Sequence, residues 1–197
     1  MGLYPKKYKQ NDKINTDVVG IKANRKDIAT YQWSETEAVA ASNTGVHAGV
    51  ILQEAVSSLS INMTNPATPR ALRIKGNAAG IVGNVVIEGT NIADQAIAET
   101  IVANAANVVE GAKAFKTITR IVFPVRNAEA DEIAIGWNDK LGLPWKLPVN
   151  TVLTAALDSV RESTAPTVTV SATAIESNTI DLSSALNGKA VDITLIV

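Results

Sequence analysis

The sequence predicts a mainly β protein: an antiparallel β-sandwich or barrel-like body with an extended N-terminal arm. Three observations carry that prediction. Residues 80–137 read as successive β-branched, apolar runs of strand length, set between Gly, Asn and Asp turn residues. Aromatic residues make up only 4% of the chain while Ala, Val, Ile and Thr abound, which suits thin strands with small side chains. Residues 1–30 differ from everything after them. They hold seven Lys or Arg against three Asp, a net charge of +4, and leave the remainder at −5.

The expected division is an arm over residues 1–34 and a β-rich body over residues 35–197. The arm and its edge hold all three tyrosines, Tyr4, Tyr8 and Tyr31, with Lys6, Lys7 and Lys9 among them and Trp33 just beyond. Two readings of such a segment stand side by side. One is a solvated basic terminus. The other is an extended arm that docks on a neighbouring subunit, because Tyr and Trp offer large contact area at low entropic cost. Docking is the expectation, with Tyr4, Lys6, Lys7, Tyr8, Lys9, Tyr31 and Trp33 as partner-binding residues.

The body follows in order. Residues 35–54 are rich in Ala and Val, and Asn43-Thr44-Gly45 predicts a turn within them. Leu59, Ile61 and Met63 alternate with Ser58, Ser60 and Asn62, the pattern of a half-buried strand. Pro66 and Pro69 make residues 64–69 a loop, since proline cannot donate to a ladder. Leu72 and Ile74 then share one face of a strand and Arg73 and Lys75 the other. In residues 80–137 the strands are apolar on both sides. Ile97, Ile101 and Val102 cannot all point one way, which predicts a central position or packing against another subunit.

Residues 138–148 read as turn-rich, with Trp137 and Trp145 at their margins. These two indoles either cap the core beneath that loop or face a ligand from it. Residues 151–160 fit helical spacing at Leu153, Ala156, Leu157 and Val160, but their Thr and Val content also permits a strand, which is the assignment adopted. Val168 and Val170 mark a further strand. Asn187-Gly188 predicts a closing hairpin, whose last strand aligns Val191, Ile193, Leu195 and Val197 on one face.

The chemistry expected of the chain is sparse. A net charge of −1 gives no overall pull toward nucleic acid or anionic membrane. Cysteine is absent, so disulfides, thiolate metal sites and a Cys nucleophile drop out together. No apolar run approaches the roughly 18 residues of a membrane span, and no apolar stretch follows the basic start as in a secretory signal. His47 is the only histidine, and a structural or surface role is expected for it. Gly76, Gly80 and Gly83 match neither a dinucleotide fingerprint nor a P-loop. Asp131 and Glu132 are adjacent and point to opposite faces on a strand, so they form no acid/base pair. No catalytic residue, cofactor or metal is expected, and no enzymatic activity.

One resemblance sharpens this. The phrases IVGNVVIEGTNIADQAIAET, VEGAKAFKTITRIVFP and DEIAIGWNDKLGLPWKLP, with the ending TAPTVTVSATAIESNTIDLSSALNGKAVDITLIV, resemble tailed-bacteriophage virion structural proteins of the head-decoration or head-fibre kind. The resemblance implies a non-enzymatic capsid decoration (cement) protein. It would be made in the host bacterial cytoplasm, attach to the major capsid protein or other virion subunits, and be present in many copies as a homo-oligomer. Two alternatives stay open: a tail or baseplate subunit, and a host- or glycan-binding β-module on the virion that uses Trp137 or Trp145. Neither nucleic acid nor membrane is an expected partner.

Overall fold

The computed structural model describes residues 26–197, with the backbone of two short strands at residues 13–15 and 22–24. Those two, β1 (Lys13–Asn15) and β2 (Lys22–Asn24), pair antiparallel. Next come β3 (Ile28–Trp33), β4 (Ser42–Ile51), β5 (Ser57–Leu59) and β6 (Arg70–Gly76). The middle of the chain forms β7 (Val82–Thr90), β8 (Ala96–Asn104), β9 (Val108–Phe115), β10 (Thr117–Phe123) and β11 (Glu132–Gly142). The last part supplies β12 (Val152–Leu157), β13 (Val160–Arg161), β14 (Thr167–Thr169), a 3-10 turn at Ile175–Ser177, β15 (Thr179–Asp181) and β16 (Val191–Ile196). The protein is mainly β, 52% strand, and its sheets are antiparallel, one of them curled into a half-barrel.

Three sheets build the body. The first has the order β5-β10-β7-β8. The central one has the order β14-β15-β11-β6-β9, with β4 also paired to β11. The third has the order β13-β12-β16-β3. The first sheet packs on the central one over a core that includes Val85, Ile87, Ile101, Ile121 and Phe123 from one side and Leu72, Ile74, Ile133 and Ile135 from the other. A second core joins the third sheet, through Trp33, Val191, Ile193 and Leu195, to Leu141, Leu143 and Ile180. Each fully buried Val, Leu or Ile in these layers is worth about 1.5–3 kcal/mol.

Strand β11 belongs to both cores. Its first half carries Ile133 and Ile135 into one, and its far end carries Leu141 into the other. Between them the ladder breaks. Trp137 pairs with Leu72 and Leu141 with Arg70, four residue steps on β11 against two on β6. The extra residues form a bulge, and Arg70 fills it. Its guanidinium is 0% exposed. Nε donates to the Asn138 carbonyl at 2.8 Å, Nη1 donates to the Val39 carbonyl at 3.0 Å, and Nη2 also reaches the Asn138 carbonyl. Nη2 further lies 3.4 Å from the Asp139 carboxylate.

On the opposite edge the two layers of the sandwich are stitched together by side chains. Glu99 of β8 accepts the Ala112 N–H of β9 at 2.6 Å, and the Lys113 ammonium of β9 donates back to the Ala98 carbonyl at 2.8 Å. A Cβ at Gly111 would sit 2.5 Å from Glu99 Oε2, so a larger residue there would push the carboxylate out of this position. The stitch satisfies edge donors that would otherwise template pairing with another chain.

Several sequence expectations change here. Residues 28–33, placed in the arm, form a full strand of the third sheet, and the body therefore begins before residue 35. Asn43-Thr44-Gly45 does not turn the chain. It lies inside β4, where three steps of β4 and then five oppose two steps each of β11, so its turn chemistry is spent on a bulge. The strand expected through Met63 stops at Leu59, and Ile61 beyond it is exposed. β8 is an edge strand, not a central one. Residues 138–142 continue β11 where a turn-rich stretch was expected. Asn187-Gly188 is a turn with positive φ at both residues, yet it closes no hairpin, because β16 pairs with β12 and β3 while β15 pairs with β11 and β14. The strand assigned within residues 151–160 is present as β12.

Arg70→Met leaves the Asn138 and Val39 carbonyls without their donor in a buried site. It is expected to lower stability by about 2–4 kcal/mol, read as a fall in the urea midpoint. An unchanged midpoint would mean that the bulge does not depend on the guanidinium.

Candidate functional site

The arm meets the body at an edge strand beside an apolar cleft. Asp27 and Val197 exchange backbone hydrogen bonds, 3.2 Å in one direction and 2.9 Å in the other. From there β3 pairs with β16 without interruption, from Ile28 opposite Ile196 to Trp33 opposite Val191. Period-two alternation turns Thr30 and Gln32 outward and sends Tyr31 and Trp33 into the second core.

The residues expected to bind a partner are thereby divided. Tyr4, Lys6, Lys7, Tyr8 and Lys9 lie outside the described residues. Trp33 is 0% exposed, so its ring holds the second core together and presents no surface to a partner. Tyr31 is partly buried, with its ring edge-on to Trp33 at 4.8 Å and 82° and to Trp145 at 5.6 Å and 81°. Burial, with a smaller push from Glu37, raises the pKa of its phenol. Such edge-to-face stacking adds about 0.5–1.5 kcal/mol per pair beyond area burial.

Trp145 and Trp137 do not flank a common loop face. Trp145 packs on the second core and lines a cleft of about 430 Å³ with Lys26, Lys146, Pro148, Val149 and Ile196. Trp137 packs against the first core. Its Nε1 donates to the Ala40 carbonyl at 3.2 Å, and its ring lies so close over Gly45 that a Cβ there would sit 2.6 Å away. The Arg70 guanidinium carbon is 6.0 Å from the centroid of the same ring. Trp137 thus covers the first core, whereas Trp145 lines the cleft, and both indoles are half-buried. A cleft with an aromatic wall, aliphatic neighbours and two ammonium groups suits an extended segment carrying apolar side chains next to a negative charge.

A charged cluster lies where β6, β9, β11 and β15 meet, and period-two reading did not single it out. Burial brings the Arg70 pKa down to about 10, with Asp139 opposing that fall, so the group stays charged at neutral pH. Lys140 pairs with Glu110 at 2.8 Å. Asp181 faces this group, and its pKa is raised, first by burial and then by Glu110 and Asp139 against the pull of Lys140. The available signal was parity: Arg70 shares the inward face of Leu72 and Ile74, and a charge on that face needs a buried partner.

Other polar residues close loops. Asp131 accepts the Asn127 and Ala128 N–H groups, each at 2.8 Å. Asn178 is fully buried, accepts from Leu147 and Ser171, and donates to the Ser171 and Ala174 carbonyls. His47 sits opposite Ile135 on β4, and its Nδ1 accepts the Gly49 N–H at 3.3 Å. Among the described residues no group of three His, Cys, Asp or Glu gathers to hold a metal ion, and no helix is long and apolar enough to cross a membrane. No family model matches the chain, nor does any curated protein or solved structure compared with it.

A carboxyl whose pKa is raised in the fold binds more protons there than in the unfolded chain, so its contribution falls as pH rises. Asp181→Asn is accordingly expected to raise the melting temperature at pH 7. The gain should shrink as pH is lowered and Asp181 of the parent protonates. A variant less stable than the parent at pH 7 would show that the carboxylate is held by its neighbours more than burial penalises it.

Proposed function

We propose that the chain is a non-enzymatic structural protein of a tailed-phage particle, a capsid decoration subunit that grips the major capsid lattice by its basic N-terminal arm. The observation that carries this reading is how the arm is rooted. Residues 1–30 hold a net +4 against −5 for the rest, and they run into β3, which is bonded along its length to β16. A load passed to β3 from its N-terminal side is borne by its ladder to β16, whose hydrogen bonds run perpendicular to the strands. The charge contrast supports the same division of labour, with a cationic grip and a neutral-to-acidic body turned outward. Interfaces burying about 1,600 Å² in total are enough for specific attachment, and many copies on one lattice add avidity.

Tail or baseplate placement is the second reading, since open strand edges can also assemble subunits into rings. The Trp145 cleft suits a partner peptide better than a bare sugar ring, because aliphatic side chains line it and two lysines frame the opening.

The test uses virions of the phage or prophage that encodes the chain. Purified full-length protein should co-sediment with heads stripped of it, and a variant lacking residues 1–25 should not. That boundary keeps Asp27 and β3 in place, so loss of binding reports on the arm and not on the fold. Retained binding without residues 1–25, or absence of the protein from intact heads, would reject the decoration reading.

A further inference from the structure

A strand edge left open can pair with another chain, and folded proteins guard such edges by shortness, bulges, charge or cover. Most edges here are guarded. β5, β13 and β14 are only two or three residues long. β4 shifts register twice against β11, and Glu99 and Lys113 stitch β8 to β9. β3 has none of these devices. Its six residues, IATYQW, keep unbroken register with β16 and include no proline or charged residue.

The pairing pattern says which of its main-chain groups are open. Asp27 and Val197 exchange both of their bonds, so they form a hydrogen-bonded pair. Such pairs recur at every second residue of an antiparallel ladder. Ala29, Tyr31 and Trp33 therefore bond to β16, while the N–H and C=O of Ile28, Thr30 and Gln32 point to the far side. β3 has no second neighbour in its sheet, and among the described residues nothing bonds these groups. β1 and β2 pair only with each other, so the described strands of the arm do not occupy this edge.

We infer that β3 pairs antiparallel with β3 of a second copy about a two-fold axis through Thr30, so that the third sheets of two copies become one. What selects a second copy is that the strand complements itself. Only the register with Thr30 opposite Thr30 engages all three open residues of each copy, since Ile28 of each then meets Gln32 of the other. That register sets the large Tyr31 against the small Ala29 on the inner face and Thr against Thr on the outer one. It also brings Gln32 alongside Ile28, which is 71% exposed in a single copy. Charge agrees. The strand is uncharged, so no like charges are opposed along it. Lys26 falls opposite Ser34 of the second copy, one residue from its Glu35, and the same contact recurs across the axis. Neither Lys26 nor Glu35 is ion-paired within one copy among the described residues. A seam of this length is small beside a standard interface of about 800 Å² a side, so association is weak and concentration-dependent. The inference concerns the β3 edge and stands whether or not the chain belongs to a phage particle.

Sedimentation of the full chain should show mass rising from monomer toward dimer between about 5 and about 500 µM, the range expected of a small interface. Over that range the amides of Ile28, Thr30 and Gln32 should gain protection from hydrogen exchange. Those of Ala29, Tyr31 and Trp33, already bonded to β16, should change little. Thr30→Pro removes an outward donor but no bond to β16, so this variant should stay monomeric throughout with its β16 amides still protected. Lys26→Glu and Glu35→Lys should each weaken association about fivefold at low salt, and the double variant should restore it. A chain that is monomeric across the range overturns the inference. So does association indifferent to Thr30→Pro, or a loss from the single charge swaps that the double variant does not restore. Equal protection of the Ile28, Thr30 and Gln32 amides at every concentration also overturns it, since the chain's own residues 1–25 would then lie on the edge.

Discussion

The buried Arg70 guanidinium is the constraint on which the architecture depends. A long strand that serves two cores must change its facing between them, and β11 does so through the bulge between Trp137 and Leu141. A bulge strands backbone groups. Here the Asn138 carbonyl leaves the ladder at 1% residue exposure, and the donor that satisfies it comes from the neighbouring strand β6. The arrangement differs from an ordinary buried ion pair. An ion pair can often be exchanged for two apolar residues at little cost, because both charges go together. The chief acceptors of Arg70 are main-chain carbonyls, which no substitution removes. That fixes the charge in place.

From this point the two halves follow. The first core is a plain sandwich of small β-branched side chains, closed along β8 and β9 by Glu99 and Lys113. The second holds Trp33, Tyr31 and Trp145, with the two indoles set at T-shaped angles to the Tyr31 ring. It lies where the basic segment enters. Large rings there give a lean, aromatic-poor protein its firmest packing at the place where an arm under load would pull. The proposed attachment role therefore asks little of the first core beyond stiffness.

Much of the fold was readable because period two is local. Leu72 and Ile74 against Arg73 and Lys75, or Val191, Ile193 and Leu195 in the last strand, announce their faces within a few residues. What was not readable depends on partners distant in sequence. Asn187-Gly188 has hairpin chemistry, but nothing nearby says that β16 will join β3, some 160 residues earlier. Asn43-Thr44-Gly45 has turn chemistry, but it lies in a bulged stretch of β4, where the Trp137 ring lies over bare backbone at Gly45. Trp33 looked like the tip of a docking arm because its environment is made by β12 and β16 from the far end of the chain. Of the candidate site, Trp145 was named on its position at the margin of a turn-rich stretch, while the cleft it lines with Lys26 and Ile196 required the fold.

If β11 and Arg70 bind the two cores into one cooperative unit, native-state hydrogen exchange tests it most directly. Amides of β7 and β10 in the first core and of β12 and β16 in the second should approach one common opening isotherm as urea is raised, with the slope of global unfolding. Loss of protection in β3, β12 and β16 at lower urea and with a smaller slope, while β7 and β10 remain closed, would contradict it.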